Sequence, residues 1–170
     1  MSTSNLATPA PTHVLDTSVF TQAHRLYYPH EICPGFWECL SHHAASGRLS
    51  SIDRVQKEIT DGKDDDDVKH WAKNSILRPF FAKTDTTEVA TQFAEMMRWV
   101  QAETQFRPEA KAEFAQVADG WVVAYAKVNG LTVVSQEVFA ADSRKRVPLP
   151  NVCVLRLVLR TSALSTCCEV

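Results

Sequence analysis

Short apolar runs that alternate with longer helical patterns are the feature that most restricts how this chain can fold. Residues 12–15 and 131–134 are apolar runs too short to form helices, and residues 49–51 and 151–155 are interpreted as further short strands. Short, continuous strands that alternate with helices are typical of a parallel sheet covered on both faces. The order of the elements therefore predicts an α/β protein, a three-layer α/β/α fold with a short-stranded parallel central sheet.

The helices are predicted from apolar residues that recur at helical spacing. Gly47 and the pair Asn129-Gly130 follow two of these patterns, as is usual where a helix ends. With 170 residues, 45% hydrophobic and 22% charged, the chain is expected to form one globular domain. The predicted helices cover residues 18–27, 36–44, 52–59, 68–74, 89–100, 110–117 and 119–128.

The expected organisation is a disordered N-terminal arm at residues 1–11, one domain at residues 12–153 and an atypical tail at residues 154–170. The arm lacks the basic start and the apolar core of a secretory signal, and no apolar run approaches the roughly 20 residues that span a bilayer. The five cysteines are odd in number and show no CxxC spacing. This cysteine usage favours a cytoplasmic protein with free thiols. The lack of a bilayer-spanning apolar run favours no membrane association.

Four acidic residues each follow or interrupt an apolar stretch, namely Asp16, Glu58, Asp119 and Glu137. Asp16 and Glu137 fall at the carboxyl ends of predicted strands, where parallel sheets bind ligands. Converging carboxylates repel one another unless a cation neutralises them, and Mg²⁺ and Mn²⁺ prefer oxygen ligands. The pattern predicts an acidic metal site. Alternatively, Asp16 and Asp119 only cap helices, Glu58 is a solvent-facing helix residue and Glu137 belongs to a loop.

Two serines and one basic cluster accompany these acids. Ser18 and Ser135 could orient a metal-bound carboxylate through their hydroxyl groups, although each could equally be a polar residue at the end of a strand. The compact basic cluster of Arg144, Lys145 and Arg146 is a candidate for phosphate contacts, with a solvated loop as the alternative.

Other kinds of site find little support in the sequence. Serine-hydrolase, nucleotide-binding and H-E-x-x-H zinc motifs are all absent, and the five glycines are not clustered. The net charge of −2 argues against non-specific DNA coating, but an acidic metal site that hydrolyses phosphodiesters is compatible with it. The acidic run at residues 64–67 is interpreted as a solvated segment before a helix and not as a set of ligands.

The chain resembles PIN-domain proteins. The matching residues are Asp16-Thr17-Ser18 after the first strand, Glu58 on a helix after the second, Ala118-Asp119 at the start of a helix and Ser135-x-Glu137 after the next strand. More closely, it is similar to an uncharacterised bacterial branch of the PIN-like superfamily over residues 12–153. The matching stretches are Tyr27-Tyr28-Pro29, Pro34-Gly35-Phe36-Trp37, Trp71-Ala72-Lys73, residues 118–126 and Pro150-Asn151-Val152-Cys153.

This resemblance implies a Mg²⁺- or Mn²⁺-dependent endoribonuclease related to the VapC-type toxins of toxin–antitoxin systems. It implies that Asp16, Glu58 and Asp119 bind metal, with Glu137 at a fourth position where the family usually has Asp or Asn. RNA is then the substrate, and an antitoxin protein and a homodimer are the expected partners. The alternatives are a catalytically degraded PIN-like module that binds RNA or protein, and a flap-type DNA nuclease, for whose helical arch the chain is too short.

The end of the chain departs from the PIN-like pattern. After Cys153 such proteins are expected to finish with a short strand and a helix, but the tail lacks a clear helical core pattern. We hypothesise that a frameshift replaced the native C-terminus. The nucleotide sequence tests this hypothesis, which is wrong if no alternative frame continues the family pattern.

Overall fold

One parallel sheet organises the protein. The computed structural model describes residues 11–62, 66–76, 78–154 and 161–162. Within these ranges five strands form a sheet of order β3-β2-β1-β4-β5, in which every pairing is parallel. The strands are β1 (His13–Leu15), β2 (Leu49–Ile52), β3 (Phe81–Ala82), β4 (Thr132–Val134) and β5 (Thr161–Ser162).

Helices connect the strands and flank the sheet in a three-layer α/β/α arrangement, as predicted. Helix α1 continues into a π-helical turn at Ala23–Tyr27, and α4 continues into another at Trp71–Ser75, before a 3-10 turn at Arg78–Phe80. The α-helices are α1 (Thr17–Gln22), α2 (Pro34–Ala45), α3 (Asp53–Asp61), α4 (Asp66–His70), α5 (Thr87–Ala102), α6 (Pro108–Phe114), α7 (Asp119–Asn129) and α8 (Leu149–Val152).

The order of the strands creates a crevice beside β1. From β1 the chain moves outward to β2 and β3, and then crosses to the other side of β1 to form β4. His13 of β1 pairs with Leu49 of β2 on one side and with Thr132 of β4 on the other. Connections that leave adjacent strands in opposite directions open a crevice at the carboxyl ends of those strands, where open α/β sheets bind ligands. Asp16 directly follows β1, and Ser135 directly follows β4.

The core explains why the short strands are stable. The strand residues Val14, Leu15, Val133 and Val134 are buried, and α7 packs against β1, β2 and β4. Each such aliphatic side chain contributes roughly 1.5–3 kcal/mol on burial. A central strand buried on both faces therefore needs only three residues to be held firmly in place.

An aromatic cluster positions the first helix. The rings of Phe20 and Trp71 lie 5.5 Å apart, and those of Trp37 and Trp71 lie 5.2 Å apart. These rings join α1 to α2 and to the turn after α4. Because α1 is held from its buried side, its N-terminus, with Asp16 as the capping residue, has a defined position over the sheet.

The predicted strands at residues 12–15, 49–51 and 131–134 are confirmed, and β3 was not predicted. The strand predicted at residues 151–155 is wrong, because Asn151 and Val152 belong to α8. Pro148 caps this helix and Pro150 lies in its first turn, where proline is favourable, whereas proline lacks the N–H donor that a strand requires. Leu155 lies outside the described residues.

Several predictions concern residues that the structure does not describe. They include residues 1–10 of the predicted arm, residues 64–65 of the acidic run, and residues 155–160 and 163–170 of the tail. The tail does supply β5, which pairs with β4 through Val133 and Thr161. The frameshift hypothesis stays a prediction. In the part of the chain that is described, no helix combines the length and the apolar character that crossing a bilayer requires.

Candidate active site

A cavity of about 350 Å³ opens where β1 and β4 end. The four predicted acids come from four separate elements, yet all four line this cavity, together with Ser18 and Arg146. The parallel sheet and the helices that follow its strands therefore bring together residues that are more than a hundred positions apart in the sequence.

Asp16 is the most completely enclosed of the four acids, with an exposed fraction of 3%. Its Oδ1 accepts a hydrogen bond from the Thr17 N–H at 2.6 Å, which caps α1. Its Oδ2 accepts from the hydroxyl groups of Ser18 at 2.6 Å and Ser135 at 2.9 Å. Burial raises the pKa of Asp16, while these hydroxyl donors counteract the rise. Both serines therefore contact the Asp16 carboxylate, and their role in orienting a metal-bound carboxylate stays a prediction.

Glu58 bridges two elements through its carboxylate. The Thr17 hydroxyl donates to Oε2 at 2.6 Å, and the Ala118 N–H donates to Oε1 at 2.6 Å. Thr17 begins α1, and Ala118 is the residue before α7. The side chain of Glu58 thus ties the two helices that carry Asp16 and Asp119 at their N-termini.

Glu137 is also held through both carboxylate oxygens. Arg146 Nη2 donates to Oε1 at 2.6 Å, and the Leu149 N–H donates to Oε2 at 2.8 Å. The side chain of Glu137 is 15% exposed, whereas that of Arg146 is 65% exposed. Glu137 therefore lines the cavity, and the guanidinium of Arg146 balances its negative charge.

Asp119 differs from the other three acids. It lies in the first turn of α7, and no donor among the described residues makes a hydrogen bond to its carboxylate. Burial raises the pKa of Asp119 to about 8, and the negative charges of Asp16, Glu137 and Glu58 act in the same direction. A nearby positive charge would consequently stabilise the ionised form of Asp119.

The carboxylates that line the cavity are suited to a hard divalent cation that takes few protein ligands. Among the described residues, no group of three or more His, Cys, Asp or Glu side chains is arranged to hold a metal ion. Asp16, Glu58 and Glu137 each accept hydrogen bonds through both carboxylate oxygens. Asp119 accepts none from the described residues, and the negative charge of Asp16 acts on it. Mg²⁺ commonly uses only one or two carboxylates and retains several waters. Asp119, whose carboxylate has no donor among the described residues, and Asp16, whose charge acts on it, are the candidate pair for such an ion.

The basic cluster separates into two parts. All three side chains are exposed, but only Arg146 lines the cavity. The backbone carbonyl of Arg144 accepts a hydrogen bond from the Arg107 N–H at 2.9 Å, which holds the loop but leaves its side chain outside the site. Of the three basic residues in this cluster, Arg146 is therefore the one that lies beside the acids.

Some residues that shape the site were not predicted. Glu113 lines the cavity, and Asn151 and Gln105 fix the loop that carries Arg146. Asn151 carried a recognisable signal, because a lone amide within the apolar stretch at residues 147–153 is usually hydrogen-bonded. Gln105 and Glu113 carried none, since both occur in ordinary polar segments.

A family model described as "Domain of unknown function (DUF4411)" matches residues 13–161. No curated protein matches the sequence. One similar solved structure is titled as a member of the VapBC family of toxin–antitoxin systems, VapBC-5, from Mycobacterium tuberculosis. The alignment covers 91% of this chain and 98% of that chain, with 17% identity and a TM-score of 0.47. Nothing about activity follows from similarity at this level.

Proposed function

The chain belongs to the DUF4411 family of domains of unknown function, and we propose that it is a PIN-like, Mg²⁺- or Mn²⁺-dependent endoribonuclease. One observation carries the proposal: four carboxylates line a single cavity at the switch point of a parallel sheet, and that of Asp119 has no hydrogen-bond donor among the described residues. On its sequence resemblance to VapC-type proteins, the proposed role is the toxin of a toxin–antitoxin pair, with a second copy as a further expected partner.

Asp16 and Asp119 are the residues that would hold the metal ion. When bound, such an ion supplies a water of lowered pKa and neutralises charge on the phosphoryl group. Ser18 and Ser135 fix the Asp16 carboxylate through hydrogen bonds to Oδ2. Asp119 must release its proton before it can bind a cation, because only the ionised carboxylate is a good ligand.

Glu58 and Glu137 have supporting roles in this proposal. Glu58 sets the spacing between the N-termini of α1 and α7 by accepting hydrogen bonds from Thr17 and Ala118. Glu137 is occupied by Arg146 and the Leu149 N–H. Both side chains add negative charge to the cavity, which raises the gain from a bound cation.

The competing function is a catalytically degraded PIN-like module that binds RNA or a protein. The observation in its favour is that no group of three or more metal-ligating side chains occurs among the described residues. A module of this kind would keep the cavity and its charges but would not cleave RNA.

A cleavage assay separates the two functions. The full chain is incubated with a mixed RNA pool and Mn²⁺, beside a double variant Asp16→Asn, Asp119→Asn. A matched control carries Asp67→Asn and Asp85→Asn, the same chemical change at two exposed aspartates. The expected result is cleavage by the unmodified chain and the control, and at least a roughly 100-fold loss in the site variant.

The other outcomes are equally informative. Equal cleavage by all three proteins contradicts the metal-site mechanism. Binding of RNA without cleavage by any of them favours the binding module over the nuclease. Circular dichroism of each protein checks that the substitutions leave the fold intact.

A further inference from the structure

Arg146 and Glu137, which both line the cavity, form an ion pair. Arg146 Nη2 donates to Glu137 Oε1 at 2.6 Å, and the Leu149 N–H donates to the other oxygen at 2.8 Å. The positive charge of Arg146 also lowers the pKa of Asp119, against the larger effect of burial. The guanidinium therefore lies close enough to the proposed metal-binding pair to act on whatever binds there.

The loop that carries Arg146 is fixed at several points. The Asn151 side chain accepts from the Ala140 N–H and donates to the Ala140 carbonyl, and the Gln105 side chain donates to the carbonyls of Ala141 and Ser143. Side-chain amides that form hydrogen bonds to backbone groups in this way hold irregular backbone in one conformation. Arg146 is therefore presented from a held loop, although its own side chain is largely exposed.

The guanidinium has capacity left for a ligand. Arginine carries five N–H donors, and among the described residues only one donor nitrogen of Arg146, Nη2, is engaged by an acceptor. The side chain is 65% exposed and lines the same cavity as Asp16 and Asp119. A planar guanidinium with free N–H groups is suited to phosphate oxygens, which it can bind in a forked, two-bond geometry.

Glu137 is poorly placed to be a metal ligand. Turning its carboxylate toward Asp16 and Asp119 would break the ion pair with Arg146 and leave the Leu149 N–H without its acceptor. Leu149 is fully buried, so its N–H could not easily turn to water instead. The contacts of Glu137 are instead those of a residue that orients the guanidinium of Arg146.

We infer that Arg146 binds a phosphate of the nucleic acid substrate and that Glu137 is the positioning residue for its guanidinium, not a metal ligand. The inference rests on the proposed function, since it takes single-stranded RNA as the ligand. It makes Arg146 the one member of the basic cluster with a role in the site, and it replaces the ligand role predicted for Glu137.

The test uses the full chain and a labelled 12-nucleotide single-stranded RNA, with binding followed by fluorescence anisotropy in EDTA. Mn²⁺ binding is measured separately by calorimetry without RNA. The variants are Arg146→Gln, Arg146→Lys and Glu137→Gln, and Arg144→Gln is the matched control from the same cluster. A thermal melt of each variant verifies folding.

Arg146→Gln is expected to weaken RNA binding about 10-fold, because a charge-assisted contact is lost. Arg146→Lys restores part of that affinity, since it keeps the charge but not the fork. Arg144→Gln changes affinity less than about 2-fold at the same salt concentration. Glu137→Gln weakens RNA binding about 3-fold and leaves Mn²⁺ affinity within about 3-fold, whereas loss of a direct ligand costs more.

Three results would overturn the inference. They are equal effects of Arg146→Gln and Arg144→Gln on RNA binding, a loss of Mn²⁺ affinity of about 10-fold or more in Glu137→Gln, and no binding of RNA by the unmodified chain. Failure of the proposed nuclease looks different. If the unmodified chain binds RNA but never cleaves it, the nuclease proposal fails. The comparison of RNA affinity between Arg146→Gln and Arg144→Gln in EDTA would still test whether Arg146 binds a phosphate.

Discussion

At the scale of single residues, four chemically similar carboxylates have different surroundings and hence different roles. Asp16 is buried among hydroxyl donors, and Glu58 and Glu137 each use both oxygens on partners in other elements. Asp119 has no donor in the described part of the chain, and its pKa rises to about 8. The hydrogen-bond partners of each acid, more than the type of acid, distinguish the unpaired carboxylate of Asp119 from the three carboxylates that accept hydrogen bonds from neighbouring groups.

The role assigned to Glu58 can be tested by the sign of a stability change. The Thr17 hydroxyl and the Ala118 N–H both donate to carboxylate oxygens of Glu58. Glu58→Gln removes the negative charge that strengthens these two bonds and replaces one acceptor oxygen by an NH₂ group. We expect the free energy of unfolding in EDTA to fall by about 1–2 kcal/mol. Urea denaturation measures the change, and Glu38→Gln on the exposed face of α2 is the control.

A residue whose main role was to bind a cation would behave in the opposite way. Neutralising one of four mutually repelling carboxylates would then stabilise the metal-free protein. An increase in the unfolding free energy of Glu58→Gln would therefore contradict the bridging role.

At the scale of secondary-structure elements, close packing of α7 against α5 and α6 sets the position of Asp119. Gly120 follows Asp119 in the first turn of α7, and a Cβ atom there would lie 2.9 Å from Met96 Cε and 2.9 Å from Phe93 Cε2. It would also lie 3.3 Å from Phe114 Cε1, on α6. The absence of a side chain at residue 120 therefore lets three helices meet directly beside the site.

Gly120→Ala tests this packing. Alanine favours a helix over glycine by about 1 kcal/mol, but overpacking a filled core costs roughly 1–3 kcal/mol. Because aromatic rings at 2.9 and 3.3 Å cannot move aside freely, we expect net destabilisation. Gly35→Ala in α2 is the matched control, since no atom lies within 4 Å of its added Cβ.

Chemical denaturation of both variants provides the measurement. Gly35→Ala should be neutral or slightly stabilising, and Gly120→Ala should lower the free energy of unfolding. If the two substitutions had the same effect, α7 would have more room beside α5 and α6 than the structure indicates.

At the scale of the whole molecule, the concentration of negative charge at one end of the sheet links stability to pH and to metal ions. The pKa of Asp119 is about 8 in the folded chain, and an unfolded aspartate titrates at roughly 3.9. Between these values the folded state binds more protons than the unfolded state, so the free energy of unfolding falls as pH rises. The stabilisation from this group is complete below the unfolded pKa and is lost as pH rises through the folded pKa. Asp16 contributes in the same direction.

Thermal melts at pH 5 and pH 8 in EDTA measure this linkage. We expect the Tm of the unmodified chain to fall more over this interval than that of Asp119→Asn. The difference should be at least about 2–4 °C, the shift that roughly 1 kcal/mol produces at this chain length. Asp85→Asn, at an exposed aspartate, should behave like the unmodified chain. Identical pH dependence in all three proteins would contradict the assignment.

Metal addition gives a second measurement of the same linkage. Mn²⁺ should raise Tm more at pH 8 than at pH 6, because less proton release is needed at the higher pH. The effect should be absent in the Asp16→Asn, Asp119→Asn double variant. A Tm that does not respond to Mn²⁺ at either pH would argue against a cation at this site.

Much of the fold was predictable because it depends on short-range patterns. Apolar runs and helical spacing identified β1, β2 and β4 and the α-helices up to α7. The two-residue strands β3 and β5 are too short to leave a pattern. The apolar residues of α8 resemble those of a strand, and only Pro148 and Pro150 indicate the start of a helix. The four acids that line the cavity were recognisable in the sequence, but the hydrogen-bond partners that distinguish them were not.

Local sequence patterns specified β1, β2, β4 and the helices up to α7 and singled out the four acids, since capping, periodicity and strand ends act over a few residues. The tertiary structure decided which donors meet which carboxylates. Ser135 donates to Asp16 across 119 positions and Ala118 donates to Glu58 across 60, and Arg146 alone of its cluster lines the cavity. The physical reason is that a carboxylate's free energy depends on its nearest donors and charges, and only packing determines which distant residues those are.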